Sequence, residues 1–401
     1  MDRNFEKFDV CIVGGSIAGN YLSYLLSKTN LTVAVIEEHK EIGVPLQCAG
    51  IVSQKLSRII KLPKKVILNR VKVAKIVAPQ GKFIKISSNE EPYIIDRVAL
   101  DRYFYEEVKN KENIKYFIGE RFKSFKYIKE GYEKLLKIET SRRTLETKLL
   151  VGCDGPLSSV AKSFGIKNKI LYAMQIRTSG NFDENEAALY FNPKWKEFFG
   201  WIVPEGNNVF RIGLASTQNI KKNFQIFAKL LKLDMKTKID QQGGLIPYGF
   251  MNRLAFNNVL LLGDSACQVK ATTGGGIIML LTAANHAANC IQKCFKYGTF
   301  SNKIIKRYYE SPCLSSIGKE LKIHFLIRTI LERLTPKNFS TLFKILRTNK
   351  MEYLLNIYGD MDFLKRFIFK LLKNPFVVSF LVILMLRNPD IIVNFLKMLI
   401  K

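Results

Sequence analysis

The apolar residues of this chain form short continuous runs separated by stretches of helical spacing, which is typical of alternating strands and helices. Near the amino terminus, Val10 to Val13 is a continuous apolar run and predicts a buried strand. A glycine-containing turn and a predicted helix, Ala18 to Leu26, come next, and a second apolar run from Leu31 to Glu38 ends in acidic residues. This order predicts a βαβ unit.

Both patterns continue along the chain. We predict a helix from Arg97 to Lys111, a strand from Ile114 to Ile118 and a hairpin around Phe125 and Leu135. The second half is predicted to contain a strand, turn and helix from Leu149 to Ile166, a mainly β stretch from Ile170 to Ile246 with one helix at Ile220 to Lys232, a buried strand from Val259 to Leu262, and a helix from Ile277 to Phe295. Everything beyond Ser301 has helical spacing.

This order of elements predicts an α/β protein, in the sense of an α+β two-domain arrangement with a helical carboxyl-terminal region. A Rossmann-like dinucleotide-binding domain is predicted for residues 1–75, 95–165 and 250–300. An inserted antiparallel β domain, which would bind the substrate, is predicted for residues 76–94 and 166–249. Residues 301–401 form the helical region.

The charge of the chain is strongly one-sided. It has 401 residues, with 63 Lys and Arg against 34 Asp and Glu, and the resulting net charge of +29 favours an anionic partner such as acidic lipid headgroups, a phosphorylated substrate or nucleic acid. Lys, Asn and Ile are abundant everywhere, as a biased genome would also produce. No compact basic cluster with interleaved aromatic residues occurs, so we predict no nucleic-acid partner.

Cysteine and histidine usage narrows the class of protein further. The seven cysteines are scattered and odd in number, which is typical of a reducing cytosol, and the amino terminus lacks the apolar core of a signal peptide. We therefore expect a cytoplasmic protein. With only three histidines and no second close pair of cysteines, we predict no metal site.

The turn after the first strand carries the first candidate chemistry. The dinucleotide fingerprint has glycine at its first, third and sixth positions, and here these positions hold Gly14, Ser16 and Gly19. Serine at the middle position places a side chain where a pyrophosphate normally approaches the backbone. Glu37, at the end of the second strand, is the acid expected to accept a hydrogen bond from a ribose hydroxyl, and Glu38 is the alternative one position away.

A second motif follows the predicted strand at 259–262. Asp264 in GDS provides a carboxylate that can accept hydrogen bonds from the ribityl hydroxyls of a flavin. Three consecutive glycines, Gly274 to Gly276, then precede a helix whose first amides are unpaired and partly positive. Such a helix end suits a pyrophosphate or the N1 and C2 carbonyl edge of a reduced flavin. Because glycines cost conformational entropy, three in a row indicate that the backbone must come close to something.

Several stretches, taken in order, resemble known flavoproteins. DVCIVGGSIAG, Glu37, the arginine of DRVALDRYF, GCDGPLSSVAK and LLLGDSACQ are similar to the FAD-containing hydroxylase and oxidoreductase superfamily, in which all five stretches help to hold FAD. Within that superfamily, EIGVPLQCAGIVS, FFGWIVPEGNNVFRIGLAS and QVKATTGGGI with its helical tail resemble the geranylgeranyl reductase family. The resemblance implies FAD as the cofactor and a Rossmann-like FAD-binding domain.

Carried over position by position, the resemblance implies a set of cofactor and substrate contacts. Cys48 and Ala49 would lie near the isoalloxazine, Arg97 near the phosphates or the ribityl chain, and Phe122 at the adenine through its backbone. The full set of implied FAD contacts is Gly14, Ser16, Gly19, Glu37, Cys48, Ala49, Arg97, Phe122, Asp264, Gly276 and Ile277, and the implied lipid-cavity residues are Trp201 and Pro204.

The chain departs from the family pattern at a few positions. Phe199 and Val203 replace the tyrosine and the phenylalanine usual in the family's YxWxFP motif. Ala271 stands where a proline is usual before TTGGG. These departures concern the substrate side of the predicted site more than the FAD side.

The reaction implied by the resemblance is the saturation of geranylgeranyl double bonds in membrane lipids or their precursors. Hydride would pass from reduced flavin to one carbon, and a proton would reach the other. Cys48 is the candidate catalytic residue, either for proton delivery or for tuning the flavin; the alternative is a small buried hydrophobic residue without a catalytic role.

Two other functions fit parts of the same pattern. An FAD-dependent monooxygenase would share the FAD-holding motifs but would use NAD(P)H and oxygen on an apolar substrate. A non-catalytic lipid-binding protein with a vestigial flavin fold is the second alternative. The chain has no second nucleotide fingerprint, so the electron donor stays open between a ferredoxin-like protein and NAD(P)H.

The end of the chain suggests contact with a membrane. From Phe363 onward, apolar residues repeat at helical spacing with basic residues between them, which is typical of an amphipathic helix on an anionic membrane. The apolar run from Phe376 to Leu386 is shorter than the ~20 residues that a spanning helix needs. We expect peripheral membrane association; packing on the flavin domain and a dimer contact are the alternatives.

Overall fold

The strands and helices of the computed structural model follow the predicted order, and the structure describes residues 5–87, 90–130 and 133–393. The strands are β1 (Glu6–Val13), β2 (Val33–Glu37), β3 (Ile51–Val52), β4 (Ile67–Arg70), β5 (Val73–Val77), β6 (Phe83–Ile86), β7 (Tyr93–Ile95), β8 (Ile114–Ile118), β9 (Phe122–Glu130), β10 (Glu133–Thr140), β11 (Thr144–Gly152), β12 (Lys169–Ser179), β13 (Glu186–Tyr190), β14 (Gly200–Gly206), β15 (Val209–Ser216), β16 (Lys238–Tyr248), β17 (Ala255–Phe256) and β18 (Val259–Leu261). The α-helices are α1 (Ile17–Leu26), α2 (Leu56–Ile59), α3 (Arg97–Val108), α4 (Ser159–Lys162), α5 (Ile220–Leu230), α6 (Ile277–Lys296), α7 (Asn302–Ile305), α8 (Ser311–Cys313), α9 (Lys319–Leu331), α10 (Pro336–Leu346), α11 (Asn349–Tyr358), α12 (Lys365–Leu371) and α13 (Pro375–Arg387).

Five parallel strands form the centre of the first sheet, in the spatial order β18, β11, β1, β2 and β8. The β9–β10 hairpin joins β11 in antiparallel pairing, and β17 extends the other side of β18. α1 packs against both α3 and α6. Residues 10–12 of β1 are fully buried, which explains why the strand is a continuous apolar run rather than an alternating one.

The second sheet has seven strands in the order β16, β12, β15, β14, β13, β5 and β6. Its pairings are antiparallel except for β13 with β5. α5 packs on β15 and β12 and covers one face of the sheet, where Phe210 and Phe227 are fully buried. A small third sheet has the order β3, β7 and β4.

The secondary structure described beyond Ser301 is helical, as predicted. α10 packs against α11 and α13, and both α10 and α11 contact β6 of the second sheet. Within the described part of the chain, no single helix is long and apolar enough to cross a membrane; α12 and α13 meet that test only as a pair, bent by 97° at their junction. Residues 394–401 of the predicted tail lie outside the described residues.

The predicted α/β class, with a parallel Rossmann-like sheet and a helical carboxyl-terminal region, is confirmed. α3 begins at Arg97, as predicted, because the Asp96 side chain accepts a hydrogen bond from the Ala99 amide at 3.0 Å and so caps the helix. β2 begins two residues later than predicted, where the Thr32 amide donates to the Asp9 carboxylate. The domain boundaries stay a prediction.

Candidate active site

The carboxyl ends of the parallel strands meet at one edge of the first sheet, which is where open α/β sheets bind their ligands. Gly14 follows β1, Glu37 ends β2, Cys153 follows β11, and Asp264 lies just after β18. Residues far apart in sequence therefore come together because their strands run in the same direction. This edge contains the predicted dinucleotide site.

The glycine turn after β1 leaves no room for side chains at two of its positions. Gly14 has a φ of +105°, and a Cβ built on it would lie 2.3 Å from the carbonyl oxygen of Cys153. A Cβ on Gly19 would lie 1.9 Å from the carbonyl oxygen of Gly14, so this glycine lets α1 pack closely against the turn. The turn is thus built as the fingerprint requires, and the amino end of the ten-residue helix α1 opens toward the sheet edge.

Ser16 is the exposed residue of this turn and stands at the N-cap of α1. Its side chain forms no cap within the helix; its hydroxyl donates to Asp101 Oδ2 at 3.0 Å. Asp101 in turn accepts from Arg97 Nη2 at 3.0 Å. The serine that breaks the glycine pattern is therefore held by the polar residues of α3.

Glu37 rather than Glu38 faces the glycine turn. The Glu37 carboxylate is buried and accepts hydrogen bonds from the amide of Gly15 at 2.6 Å and from the amide of His39 at 2.8 Å. Glu38 is exposed and lies 3.6 Å from Arg121. Phe122 is buried at the start of β9, just beyond a turn that is tied to the Glu37 carbonyl by the Glu120 amide.

Arg97, at the start of α3, and Asp264, in the GDS turn after β18, are charged residues that interact at the sheet edge. Burial raises the pKa of Asp264 to about 6, although the positive charge of Arg97 opposes the rise. The Arg97 Nε atom is buried and has no hydrogen-bond partner among the described residues. A buried donor without a partner is costly, so this nitrogen indicates a polar ligand at the edge.

The glycine loop joins this edge to the start of α6. Gly274 has a φ of +69°, and a Cβ on Gly276 would lie 3.7 Å from Asp264 Oδ1. Gly276 is the N-cap of the 20-residue helix α6, without a capping side chain, and Ile277 is its first residue and is buried. The first amides of this long helix are therefore available to an anionic or carbonyl group.

A cavity of about 430 Å³ lies between the glycine loop, the Cys48 segment and the second sheet. Its polar lining includes Gln175, whose Oε1 accepts from Trp201 Nε1 at 2.7 Å. Most of its lining is apolar, and includes Ala49, Ile51, Val71, Val73, Ala74, Ile76, Ile86, Ala173, Ala187, Leu189, Phe198, Phe199, Trp201, Val203, Ile246, Leu355, Met361, Leu364 and Phe367.

The two predicted cavity residues have different places in the structure. Trp201 lines the cavity, as does Val203, two residues further along β14. Pro204 is buried on the same strand but is not among the residues described as lining the cavity; its carbonyl accepts from Asn69 Nδ2 at 3.2 Å. Because side chains alternate along a strand, the residue at an odd distance from Trp201 faces the other side of the sheet.

Cys48 lies at the cavity end nearest the glycine loop. It is half-buried and lines the cavity, together with Gln47, Ala49 and Gly275. Its Sγ atom accepts a hydrogen bond from the Gly50 amide at 3.3 Å. Cys48 and Ala49 thus line the same cavity as the glycine loop, and their place near the isoalloxazine stays a prediction.

Sequence reasoning missed the carboxyl-terminal side of the cavity. Leu355, Met361, Leu364 and Phe367 line it, although they are about 80 to 90 residues beyond the glycine loop. Lys270, just before that loop, holds this segment: its Nζ atom donates to the Met361 carbonyl at 2.9 Å and to the Asp362 carboxylate at 2.5 Å. The only signal in the sequence was a lysine in an otherwise small and apolar stretch.

Comparison with known proteins identifies the chemistry of this site. Residues 7–242, more than half of the chain, match the family described as FAD binding domain. The chain belongs to this family. The protein is therefore an FAD-dependent oxidoreductase, and FAD is its cofactor, as the resemblance implied.

Three comparisons cover most of this FAD-binding protein. An uncharacterized protein of Methanocaldococcus jannaschii is 28% identical over 93% of this chain and 96% of its own length. Digeranylgeranylglycerophospholipid reductase 1 of Methanococcoides burtonii is 26% identical over 84% of this chain and 87% of its own. The crystal structure of a geranylgeranyl bacteriochlorophyll reductase-like protein of Thermoplasma acidophilum has a TM-score of 0.77 and is 20% identical, covering 90% of this chain and 99% of that one.

The residues at the sheet edge fit FAD. The glycine turn lets β1, α1 and the Cys153 segment pack closely at Gly14 and Gly19, and the Ser16 side chain is turned toward Asp101. The amino ends of α1 and α6 present free amides, and Asp264 offers an acceptor for hydroxyl groups. The partnerless Nε of Arg97 is a donor that the polar part of the cofactor would satisfy.

Proposed function

We propose that this protein is a reductase that saturates the double bonds of geranylgeranyl chains in membrane lipids or their precursors. The observation that carries the proposal is the mainly apolar cavity of about 430 Å³ that begins at Cys48 and the glycine loop. An apolar chain gains free energy by leaving water for such a cavity, at about 25 cal/mol per Å² of buried surface. The relatives named digeranylgeranylglycerophospholipid reductase support the same substrate class.

In this proposal the flavin provides the reducing chemistry, and the polypeptide binds the cofactor and positions the lipid. Reduced FAD supplies a hydride to one carbon of the double bond. Gly14, Ser16, Gly19, Glu37 and Phe122 hold the adenosine and pyrophosphate half of the cofactor. The flavin half is held by Cys48, Ala49, Arg97, Asp264, Gly276 and Ile277. The apolar walls exclude water and align the lipid chain, and Trp201 fixes one wall through its bond to Gln175.

Cys48 is our candidate for the donor of the proton that the second carbon of the double bond requires. Cys48 lines the cavity, as Gly275 does, whereas the other six cysteines are buried. Cys48→Ala should therefore retain FAD and slow alkene reduction, with Cys313→Ala as the matched control, because Cys313 is buried away from the cavity lining. A turnover rate in Cys48→Ala equal to that of the wild type would remove Cys48 from the mechanism.

One experiment tests the proposed function directly. The purified protein is reduced with dithionite, which makes the result independent of the natural electron donor, and is then mixed with a geranylgeranyl lipid. Mass spectrometry should show the gain of one hydrogen molecule per reduced double bond. Rapid NADPH oxidation with a hydroxylated product would instead indicate the monooxygenase, and an unchanged lipid with a fully reducible flavin would indicate a lipid-binding protein. The rate at which NADPH or a reduced ferredoxin reduces the oxidised flavin would then identify the class of donor.

We also propose that the carboxyl-terminal helices rest on an anionic membrane surface. Leu364 and Phe367 line the cavity, while Phe369, Phe376 and Leu386 are 61%, 71% and 72% exposed. Exposed apolar groups of this size in one segment are unusual for a surface that faces only water. Basic residues lie between them in sequence, at Lys365, Arg366, Lys370, Lys373 and Arg387. This combination suits a helix pair in the lipid headgroup region, next to the cavity that would receive the lipid.

Vesicle binding of the full chain tests this surface. Phe376→Ser with Leu386→Ser should weaken co-sedimentation with vesicles that contain phosphatidylglycerol, because two exposed apolar anchors are lost. The matched control is Leu230→Ser, which removes a 56% exposed leucine from α5 on the second sheet. Equal binding of the double variant and the wild type would show that these helices are not the membrane contact.

A further inference from the structure

We propose that Arg211 is a positioning residue that fixes the Cys48 segment and the start of α3 against the lipid cavity. Arg211 lies on β15 of the second sheet, and its side chain is only 3% exposed. A buried guanidinium in the middle of a sheet needs several partners to offset its lost hydration. The partners of Arg211 connect the segments that provide proposed flavin contacts with the sheet that lines the cavity. The inference rests on the proposed function, which assigns these two parts to the flavin and to the lipid.

The first contacts of Arg211 are with backbone. Its Nη1 atom donates to the carbonyl of Ala49 at 2.9 Å and to the carbonyl of Ile95 at 3.1 Å. Ala49 follows Cys48 directly, and Ile95 is separated from Arg97 only by the N-cap residue of α3. One nitrogen atom therefore ties together two segments that provide proposed flavin contacts.

Gly50 shows how closely the guanidinium and the segment fit. It has a φ of +79°, and a Cβ built on it would lie 2.1 Å from Arg211 Nη1 and 2.6 Å from the Ile95 carbonyl oxygen. The Gly50 amide also donates to Cys48 Sγ. A displacement of the Arg211 guanidinium would therefore reach the thiol through a single residue.

The orientation of Arg211 is fixed from the opposite side by an ionic ladder. Its Nε atom donates to Glu205 at 2.9 Å, Glu205 accepts two bonds from Arg177 at 2.8 and 2.6 Å, and Arg177 Nη1 donates to Asp240 at 2.9 Å. Burial raises the pKa of Glu205, but its bonds to Arg177 and Arg211 more than offset this and hold the pKa below its ordinary value. Glu205 is thus charged at neutral pH and keeps the guanidinium in place.

Arg211 is also joined to the cavity wall through the strand pairing of its backbone. Arg211 pairs directly with Val203 of β14, and Val203 lines the cavity two residues from Trp201. The backbone of Arg211 is therefore paired with the strand of the cavity wall, and its side chain binds the Cys48 segment. In this way Arg211 sets the distance between the wall and the segment. Misplacement of a reacting group by about 1 Å can cost roughly a hundredfold in rate.

The test compares Arg211→Met and Arg211→Lys with Arg143→Met as the matched control, which removes an arginine bound to Glu120 and leaves the bonds of Arg211 to Ala49 and Ile95 in place. The first readout is the rate of alkylation of Cys48 by iodoacetamide in the FAD-bound protein, with Cys48→Ala as the blank. We expect Arg211→Met to change this rate by roughly tenfold or more and to lower kcat ten- to a hundredfold with a smaller effect on KM. Arg211→Lys should recover only part, because a point charge cannot reproduce the fork of donors.

A folded Arg211→Met protein with unchanged thiol reactivity and unchanged kcat would overturn the proposal. Should Arg211→Met fail to fold, Arg211→Lys decides the question, since it keeps the buried charge without the fork of donors, and it must change the thiol reactivity in the same direction. The outcome is separate from the proposed function: if the wild type reduces no lipid at all, the difference in Cys48 alkylation still decides whether Arg211 holds the segment.

Discussion

The ion pair between Lys270 and Asp362 allows a quantitative prediction. The two side chains are 3% and 2% exposed, and the Lys270 Nζ atom lies 2.5 Å from Asp362 Oδ1. Burial raises the pKa of Asp362, but the charge of Lys270 more than offsets this and lowers the pKa below its ordinary value. Lys270→Met therefore leaves a buried carboxylate with Lys55, at 3.9 Å, as the remaining cation within ion-pair distance among the described residues.

The expected loss follows from the cost of breaking a buried pair, about 3–5 kcal/mol when one partner is removed. Lys55 compensates part of the charge, so we expect the lower end, about 3 kcal/mol at pH 7. The double variant Lys270→Met with Asp362→Leu should regain most of this loss, because no uncompensated charge remains. Urea unfolding of the wild type, both single variants and the double variant gives the coupling free energy from the cycle.

The pH dependence of the stability loss in Lys270→Met is a second test of this prediction. A carboxyl group with a depressed folded-state pKa contributes stability above its unfolded pKa of about 3.9, and this contribution is lost as the pH falls through the lower folded value. In Lys270→Met, burial without this cation raises the pKa of Asp362, so the deficit should be full at neutral pH, begin to shrink above pH 4 and vanish as the pH falls through the folded value of the wild type. A loss under about 1 kcal/mol, or a deficit that stays constant down to low pH, would refute the reasoning.

Three further predictions concern the sheet edge. Asp264→Asn should stabilise the apoprotein by about 3 kcal/mol above pH 6 and by nearly nothing below pH 4. The reason is that the folded-state pKa of Asp264, about 6, exceeds its unfolded-state pKa, so that the ionised carboxylate destabilises the fold. Urea unfolding at several pH values measures the difference, and a pH-independent difference would contradict the prediction. Gly19→Ala should abolish FAD retention during gel filtration, since its Cβ meets the Gly14 carbonyl at 1.9 Å, and full flavin content would contradict this. Ser16→Gly should leave the FAD dissociation constant the same within a few fold, because the hydroxyl bonds to Asp101; a large loss in fluorescence titration would show that the hydroxyl binds the cofactor.

Local patterns were sufficient for the βαβ unit. The continuous apolar run of β1, the glycine positions and the acid after β2 are all set by neighbours within about 30 residues, which is the reach of a supersecondary motif. The strand Ile114–Ile118 was predicted with its observed limits for the same reason. The resemblance supplied the FAD-containing superfamily and FAD, and the match to the FAD binding domain family confirmed both.

The tertiary structure decided how the site is assembled. Whether Glu37 or Glu38 faces the turn depends on the pleat of β2, and whether Val203 or Pro204 faces the cavity depends on the side-chain alternation of β14. The contacts of Lys270 with Asp362 and of Arg211 with Ala49 join residues 92 and 162 positions apart. Periodicity records only which face of its own element a residue occupies. The packing of sheets and helices determines the partner on that face, so these contacts, and with them the cavity, exist only in the folded chain.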